Sequence, residues 1–353
     1  MLNDFVEAML REAQWWSAYL KPQSPISTVF FGGGTPTVLP PDAMRRLISG
    51  LRSSFHMNAE AEWTIEANPA TIDADYCRML LDGGVNRLSI GAQSLIDSEL
   101  RILGRIHDAE QVKRTVRDAQ AAGFKRLSID LMYAVPHQTL ASWRQSLEMA
   151  LALGISHISC YCLTLEEGTP MWQKTQNGDL PTVGEEAQLE FMRFTRHWLS
   201  DHGLLPYEIS NYAAPGEECR HNLVYWESGN YLGLGPASAS HFAGMRWRVT
   251  PDVRRYLSSV LRQGELPITD VENLDSVQRA TELVMLMLRR NTGLKWARFA
   301  EVTGFDGRAA MAAASARLSD LGLVKLGHSE MRLTEAGCYV ADEVISDLVS
   351  QLS

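Results

Sequence analysis

Cysteine is scarce and scattered: 353 residues hold five, Cys77, Cys160, Cys162, Cys219 and Cys338. An odd, irregular set builds no disulfide framework, and together with 14 Met it points to a reducing compartment. Long apolar runs are missing too. None approaches the roughly 20 residues of a membrane span, and the acidic, amphipathic Met1–Leu20 is unlike a signal peptide. Basic runs are also absent. With 33 Lys and Arg against 42 Asp and Glu the net charge is −9, and nothing gathers the positive charge that contact with phosphates needs. The chain therefore reads as cytoplasmic, without an integral membrane segment and without a nucleic-acid partner.

What is present begins at Thr28–Thr37, T-V-F-F-G-G-G-T-P-T. A short strand of β-branched and aromatic residues runs into three glycines, a loop whose bare backbone can press against a small polar ligand. Neither the dinucleotide fingerprint nor the P-loop pattern is there. Further short strands are expected at Trp63–Pro69, Asn86–Ser94, Arg126–Pro136 and His157–Leu163. The first three carry Glu66, Gln93 and Asp130 where their apolar runs give out. Helical patterns at 41–55, 73–82, 109–122 and 140–153 separate the strands. Alternation of this kind implies a parallel α/β sheet, whose ligands bind at the carboxyl ends of the strands.

Residues 1–19 have helical spacing with no strand before them, so the first strand of the expected sheet is missing from the sequence as given. After Leu163 a loop is expected over 166–179, a long amphipathic helix over 185–200, one more strand over 206–210 and a polar linker over 213–220. Then comes Cys219-Arg220-His221-Asn222-Leu223-Val224-Tyr225-Trp226. An imidazole beside two aromatic rings could ligate a metal axially while the rings pack a flat macrocycle. Taken alone, the same residues better suit a capped, hydrogen-bonded histidine in an aromatic core. His241 is a second candidate imidazole. From about Ser276 three helices, a hairpin at 322–334 and a last helix from Glu335 suggest a winged-helix-like α+β module, whose Ala-rich helix at 308–321 is better suited to packing than to reading DNA.

In this order, G-G-G-T-P-T, E-A-N-P, R-L-S-I-G-A-Q-S, L-G-R-I-H and I-D-L-M-Y-A-V-P resemble the radical S-adenosylmethionine (SAM) proteins of the oxygen-independent coproporphyrinogen III oxidase group. H-N-L-V-Y-W resembles the haem-binding motif of the HemW haem chaperones within that group. The resemblance implies a partial (β/α) barrel over 1–210, a haem-motif and connecting region over 211–275, and a C-terminal helical, winged-helix-like domain over 276–353. It further implies a SAM site at Gly33, Gly34, Thr35, Glu66, Gln93, Arg105 and Asp130, with haem on His221. The second haem ligand is open between Cys219 and His241. Two activities are compatible with it: a chaperone delivering haem to acceptor haemoproteins, a homodimer being allowed, or a radical enzyme decarboxylating a porphyrinogen. The chaperone motif favours the first, and no catalytic residue is assigned.

The chemistry of the pocket agrees with that implication. SAM carries an ammonium, a carboxylate, a sulfonium and ribose hydroxyls, so its site needs anionic acceptors, a fixed cation and exposed backbone. The departure from the family is the C-x₃-C-x₂-C triplet that holds its 4Fe-4S cluster. No such triplet occurs in this sequence. No metal ligand for that cluster is expected from this chain, and an N-terminally shortened copy is the expected cause.

Overall fold

A one-sided sheet organises the first two hundred residues. The structure, a computed structural model, describes residues 2–20 and 25–352. Seven strands are ordered β1-β2-β3-β4-β5-β7-β6. They are β1 (Ile26–Phe31), β2 (Met57–Ala67), β3 (Arg87–Gln93), β4 (Arg126–Tyr133), β5 (His157–Cys162), β6 (Leu205–Pro206) and β7 (Asn211–Ala213). From β1 to β5 every pairing is parallel, and β7 and β6 close the far edge antiparallel. Among the described residues β1 pairs with β2 alone. The architecture is a partial (β/α) barrel.

Alternation along each strand assigns its two faces. Trp63 and Ile65 on β2, Leu88 and Ile90 on β3, Leu127 and Ile129 on β4 and Ile158 on β5 point outward into one core with the helices. That helical layer includes α1 (Leu2–Leu20), α2 (Pro41–Ser54), α3 (Ala74–Asp82), the short α4 (Asp97–Ile102), α5 (Ala109–Ala122) and α6 (Leu140–Ala152). The intervening residues point inward and are polar: Glu62, Thr64 and Glu66; Arg87 and Ser89; Arg126, Ser128 and Asp130; His157 and Ser159. Parallel strands buried on both faces are normally apolar on both. A polar inner face therefore marks a binding interior.

Local signals set the helix starts. Asp73 accepts from Tyr76 N at the start of α3, and capping boxes at Asp108/Gln111 and Thr139/Ser142 open α5 and α6. Two expectations are corrected. The loop over 166–179 contains helix α7 (Pro170–Gln176), started by Pro170 and the Thr169 cap. The single strand at 206–210 is two strands, β6 and β7, joined by a turn in which Ser210 N donates to the Glu208 carboxylate. The long helix α8 spans Glu185–Asp201, one residue beyond its expected end.

The segment after α9 (Arg220–Trp226) holds an antiparallel sheet of β8 (Ala239–Phe242), β9 (Met245–Val249) and β10 (Ile268–Asn273) that periodicity had not indicated. The C-terminal part forms its own core around Phe299, Met311, Leu318, Met331 and Val344. Its three-stranded sheet recruits Leu294–Lys295 beside the expected hairpin. On the Ala-rich helix Ala312–Asp320, Ala314, Ser315 and Leu318 are buried, so that helix packs.

Candidate binding site inside the half-barrel

Strand register stacks the inner polar residues in layers. Thr64, Arg87 and Arg126 form the lowest; Glu66, Ser89, Ser128 and His157 lie next; Gly91, Asp130 and Ser159 are above them. A cleft opens beside them, lined by Phe30, Glu66, Arg87, Asp130, Tyr161 and Asn222, with others. Two carboxyls dominate its upper part. Burial pushes the Glu66 carboxyl up to about 7, and the neighbouring Asp130 charge adds to the rise while the Gly33 N–H opposes it. Asp130 is raised by burial as well, opposed by hydrogen bonds from Ser159 and Ser89 and by the Arg87 charge. Ser89 Oγ donates to Asp130 Oδ1 at 3.3 Å.

The triple-glycine loop reaches this rim. Gly33 and Gly34 have φ of 81° and 124°, and a Cβ on either would meet nothing within 4 Å, so their backbone is open to a ligand. A Cβ on Gly32 would stand 3.1 Å from Glu66 Oε1 and 2.7 Å from the Phe30 ring, which fixes that position as glycine. Thr35 is half-buried and precedes a short turn at Pro36–Val38. Gln93 sits at the bulged end of β3 with φ of 69°, next to Leu131 in register. Arg105 follows α4. His107 Nε2, two residues on, donates to Ala92 O at 3.0 Å and ties that loop to the end of β3. The Arg105 guanidinium has no partner among the described residues, and burial lowers its pKa. Gly33 and Asp130 are thus each in range of Glu66, Gln93 stands at the end of β3, and Arg105 lies on the loop after α4.

Helix α9 packs its aromatic side against β1. His221 Nδ1 shares a 2.8 Å hydrogen bond with Thr28 Oγ1, and Nε2 shares one of 2.8 Å with the Tyr225 hydroxyl. The ring stacks on Phe30 at 5.2 Å and meets Tyr225 edge-on at 4.9 Å. Burial depresses its pKa to about 4, against the pull of Glu62, so the imidazole is neutral at pH 7. Rings continue from Tyr225 to Tyr231, and Tyr231 approaches His241 at 6.1 Å. His241 is buried and donates Nδ1 to Gly229 O. Cys219 is buried with its thiol on Glu62 Oε1.

Sequence reasoning passed over Glu62 and Arg87. Glu62 has no exposed side-chain surface and receives Arg220 N, His221 N and Arg126 Nη1 at 3.2, 3.0 and 2.8 Å. It clamps the start of α9 to β2. The signal was available: Glu60, Glu62, Thr64 and Glu66 alternate, as do Arg126, Ser128 and Asp130.

The donor set fits SAM in part and a cluster not at all. Unpartnered Arg105, the open glycine backbone and the paired carboxyls suit a zwitterion that also bears a sulfonium. No group of three or more His, Cys, Asp or Glu side chains among the described residues could hold a metal ion. The five cysteines are free and dispersed, so no 4Fe-4S cluster is held by this chain's described residues, and no step is derived through one.

A parallel half-barrel with a glycine loop at the carboxyl end of its first strand has the architecture of the radical SAM superfamily, which residues 11–150 match; residues 274–340 match the HemN C-terminal domain. The solved coproporphyrinogen III oxidase HemN from Escherichia coli superposes with TM-score 0.83 at 23% identity, covering 99% of this chain and 83% of that one. The haem chaperone HemW of Bacillus subtilis is 31% identical, covering 94% of this chain and 87% of its own. The mitochondrial radical SAM domain-containing protein 1 of Bos taurus is 33% identical over 93% of this chain and 76% of its length. The chain belongs to the HemW family of radical SAM proteins.

Proposed function

We propose that this chain is a haem chaperone of the cytoplasm: it takes haem on His221, holds SAM at the strand ends and passes haem to acceptor haemoproteins. The observation that carries this reading is His221 itself, neutral at pH 7, stacked on Phe30 and set on a helix clamped at the edge of a polar cleft. A neutral imidazole coordinates iron without first losing a proton. Relatives named haem chaperones, similar over most of the chain, support it. Gly33, Gly34, Thr35, Glu66, Gln93, Arg105 and Asp130 would hold SAM, the carboxyls taking its cationic groups and Arg105 its carboxylate.

The units proposed to do this are 1–210 for SAM, 211–275 for haem and 276–353 for the C-terminal module. Titration of the purified protein with haemin, followed by its Soret band, tests the haem site. His221→Ala is expected to shift the band and weaken binding. An unchanged spectrum and affinity would remove His221 as the ligand.

A further inference from the structure

In the lowest layer of inward-facing residues two arginines stand side by side, Arg87 on β3 and Arg126 on β4, paired in register. They are not treated alike. Arg126 holds both nearby carboxylates, Glu62 at 2.8 Å and Glu217 at 3.1 Å. Arg87 is 2% exposed, its Nη2 has no hydrogen-bond partner, and the side chain forms no ion pair among the described residues. A buried guanidinium left without a hydrogen-bond acceptor is costly, because its lost hydration is offset only by the Asp130 charge beyond ion-pair range. It lies in the wall of the cleft, with Ser89, Ser159, Tyr161 and Asn222 as further polar lining.

His157 cannot serve as its acceptor. Both ring nitrogens are used, on Ser128 Oγ at 2.7 Å and Tyr207 OH at 2.8 Å. Asp130, one layer above Ser89, already receives Ser89 and Ser159. We infer that Arg87 anchors a carboxylate of the bound ligand, at a subsite below the SAM rim, through the planar fork of its guanidinium. On the proposed function, on which the choice of probes rests, that carboxylate is a haem propionate; the SAM arm of the test asks whether Arg87 takes the single SAM carboxylate in place of Arg105.

The test compares wild type with Arg87→Met. With no ligand, Arg87→Met is expected to melt no lower than wild type, since it removes a buried guanidinium that makes neither a hydrogen bond nor an ion pair among the described residues. Propionate should raise the melting temperature of wild type more than propionamide does, and this difference should vanish in Arg87→Met and return in part in Arg87→Lys. Calorimetry with haemin against its dimethyl ester, and with SAM against methylthioadenosine, identifies the source. For the ligand that uses the subsite, affinity should fall on the order of tenfold to a hundredfold in Arg87→Met, with its carboxylate-free counterpart unaffected. A variant that unfolds or melts clearly lower would make Arg87 structural, and equal effects of propionate and propionamide would overturn the subsite. If wild type binds neither haemin nor SAM the chaperone reading fails, and the propionate arm still decides the subsite.

Discussion

For His221 to take iron, one of its two hydrogen bonds must open, and the Tyr225 hydroxyl, on a partly exposed side chain, is the one free to swing away. Tyr225→Phe removes the competitor for Nε2 and is expected to tighten haemin binding by up to about tenfold, the worth of one ordinary hydrogen bond. Parallel titrations check it; weaker binding in the variant would argue that the hydroxyl supports the site instead. The folded pKa of His221 lies below its ordinary value of 6.5, so its contribution to stability is complete above that value and is lost as pH falls through about 4.

Glu66 has the opposite sign. Its folded pKa of about 7 lies above the ordinary 4.5, so stability from this group is complete below 4.5 and declines as pH rises through 7. Glu66→Gln should flatten that part of the ligand-free melting profile. A cationic ligand reverses the preference for the protonated form. SAM binding should then release a proton near pH 6, visible as a calorimetric enthalpy that depends on the buffer; the same enthalpy in buffers of different ionisation heat would exclude Glu66 as the acceptor.

Among the elements, α9 is short and has no buried residue of its own, so its position depends on what seizes its first turn. Glu62 on β2 does this, joined to Arg126 on β4. Glu62→Ala leaves Arg126 short of one carboxylate and the two amides without an acceptor, with an expected cost of about 3–5 kcal/mol. Hydrogen exchange should show residues 219–226 opening before the sheet does. Uniform exchange across sheet and helix would mean that the clamp is unimportant. The element was hard to read in sequence: C-R-H-N-L-V-Y-W announces an aromatic imidazole, but its anchor lies some 160 residues earlier in the chain. The strands were easier, since alternation at Trp63–Glu66 and Leu127–Asp130 is written locally. The β8–β10 sheet was not, because its strands are short and broken by bulged pairing.

Across the whole molecule, the SAM reading needs segments near residues 33, 66, 105 and 130 to act on one ligand. Asp130→Ala and Arg105→Ala should each weaken SAM binding by about 1.5–3 kcal/mol, the worth of a charge-assisted hydrogen bond. Calorimetry giving wild-type affinity in both would dissolve the site. The C-terminal module also touches this centre, because Asn291 N donates to Tyr207 O and Arg290 pairs with Glu227 just past α9. Tyr207 in turn shares a hydrogen bond with His157, so the module abuts the wall of the cleft.

By itself the sequence determined the alternation of strand and helix, the glycine loop, the acidic residues at the strand ends and the absence of a cysteine triplet. Each of these depends on neighbours within a few positions, where periodicity and backbone chemistry act. Only the tertiary structure decided that Arg126 takes the floor carboxylates while Arg87 goes without, that Glu62 holds α9, and that Tyr225 occupies His221. These depend on which side chains the parallel register brings into one interior, and pairing between distant strands leaves no local trace in the chain.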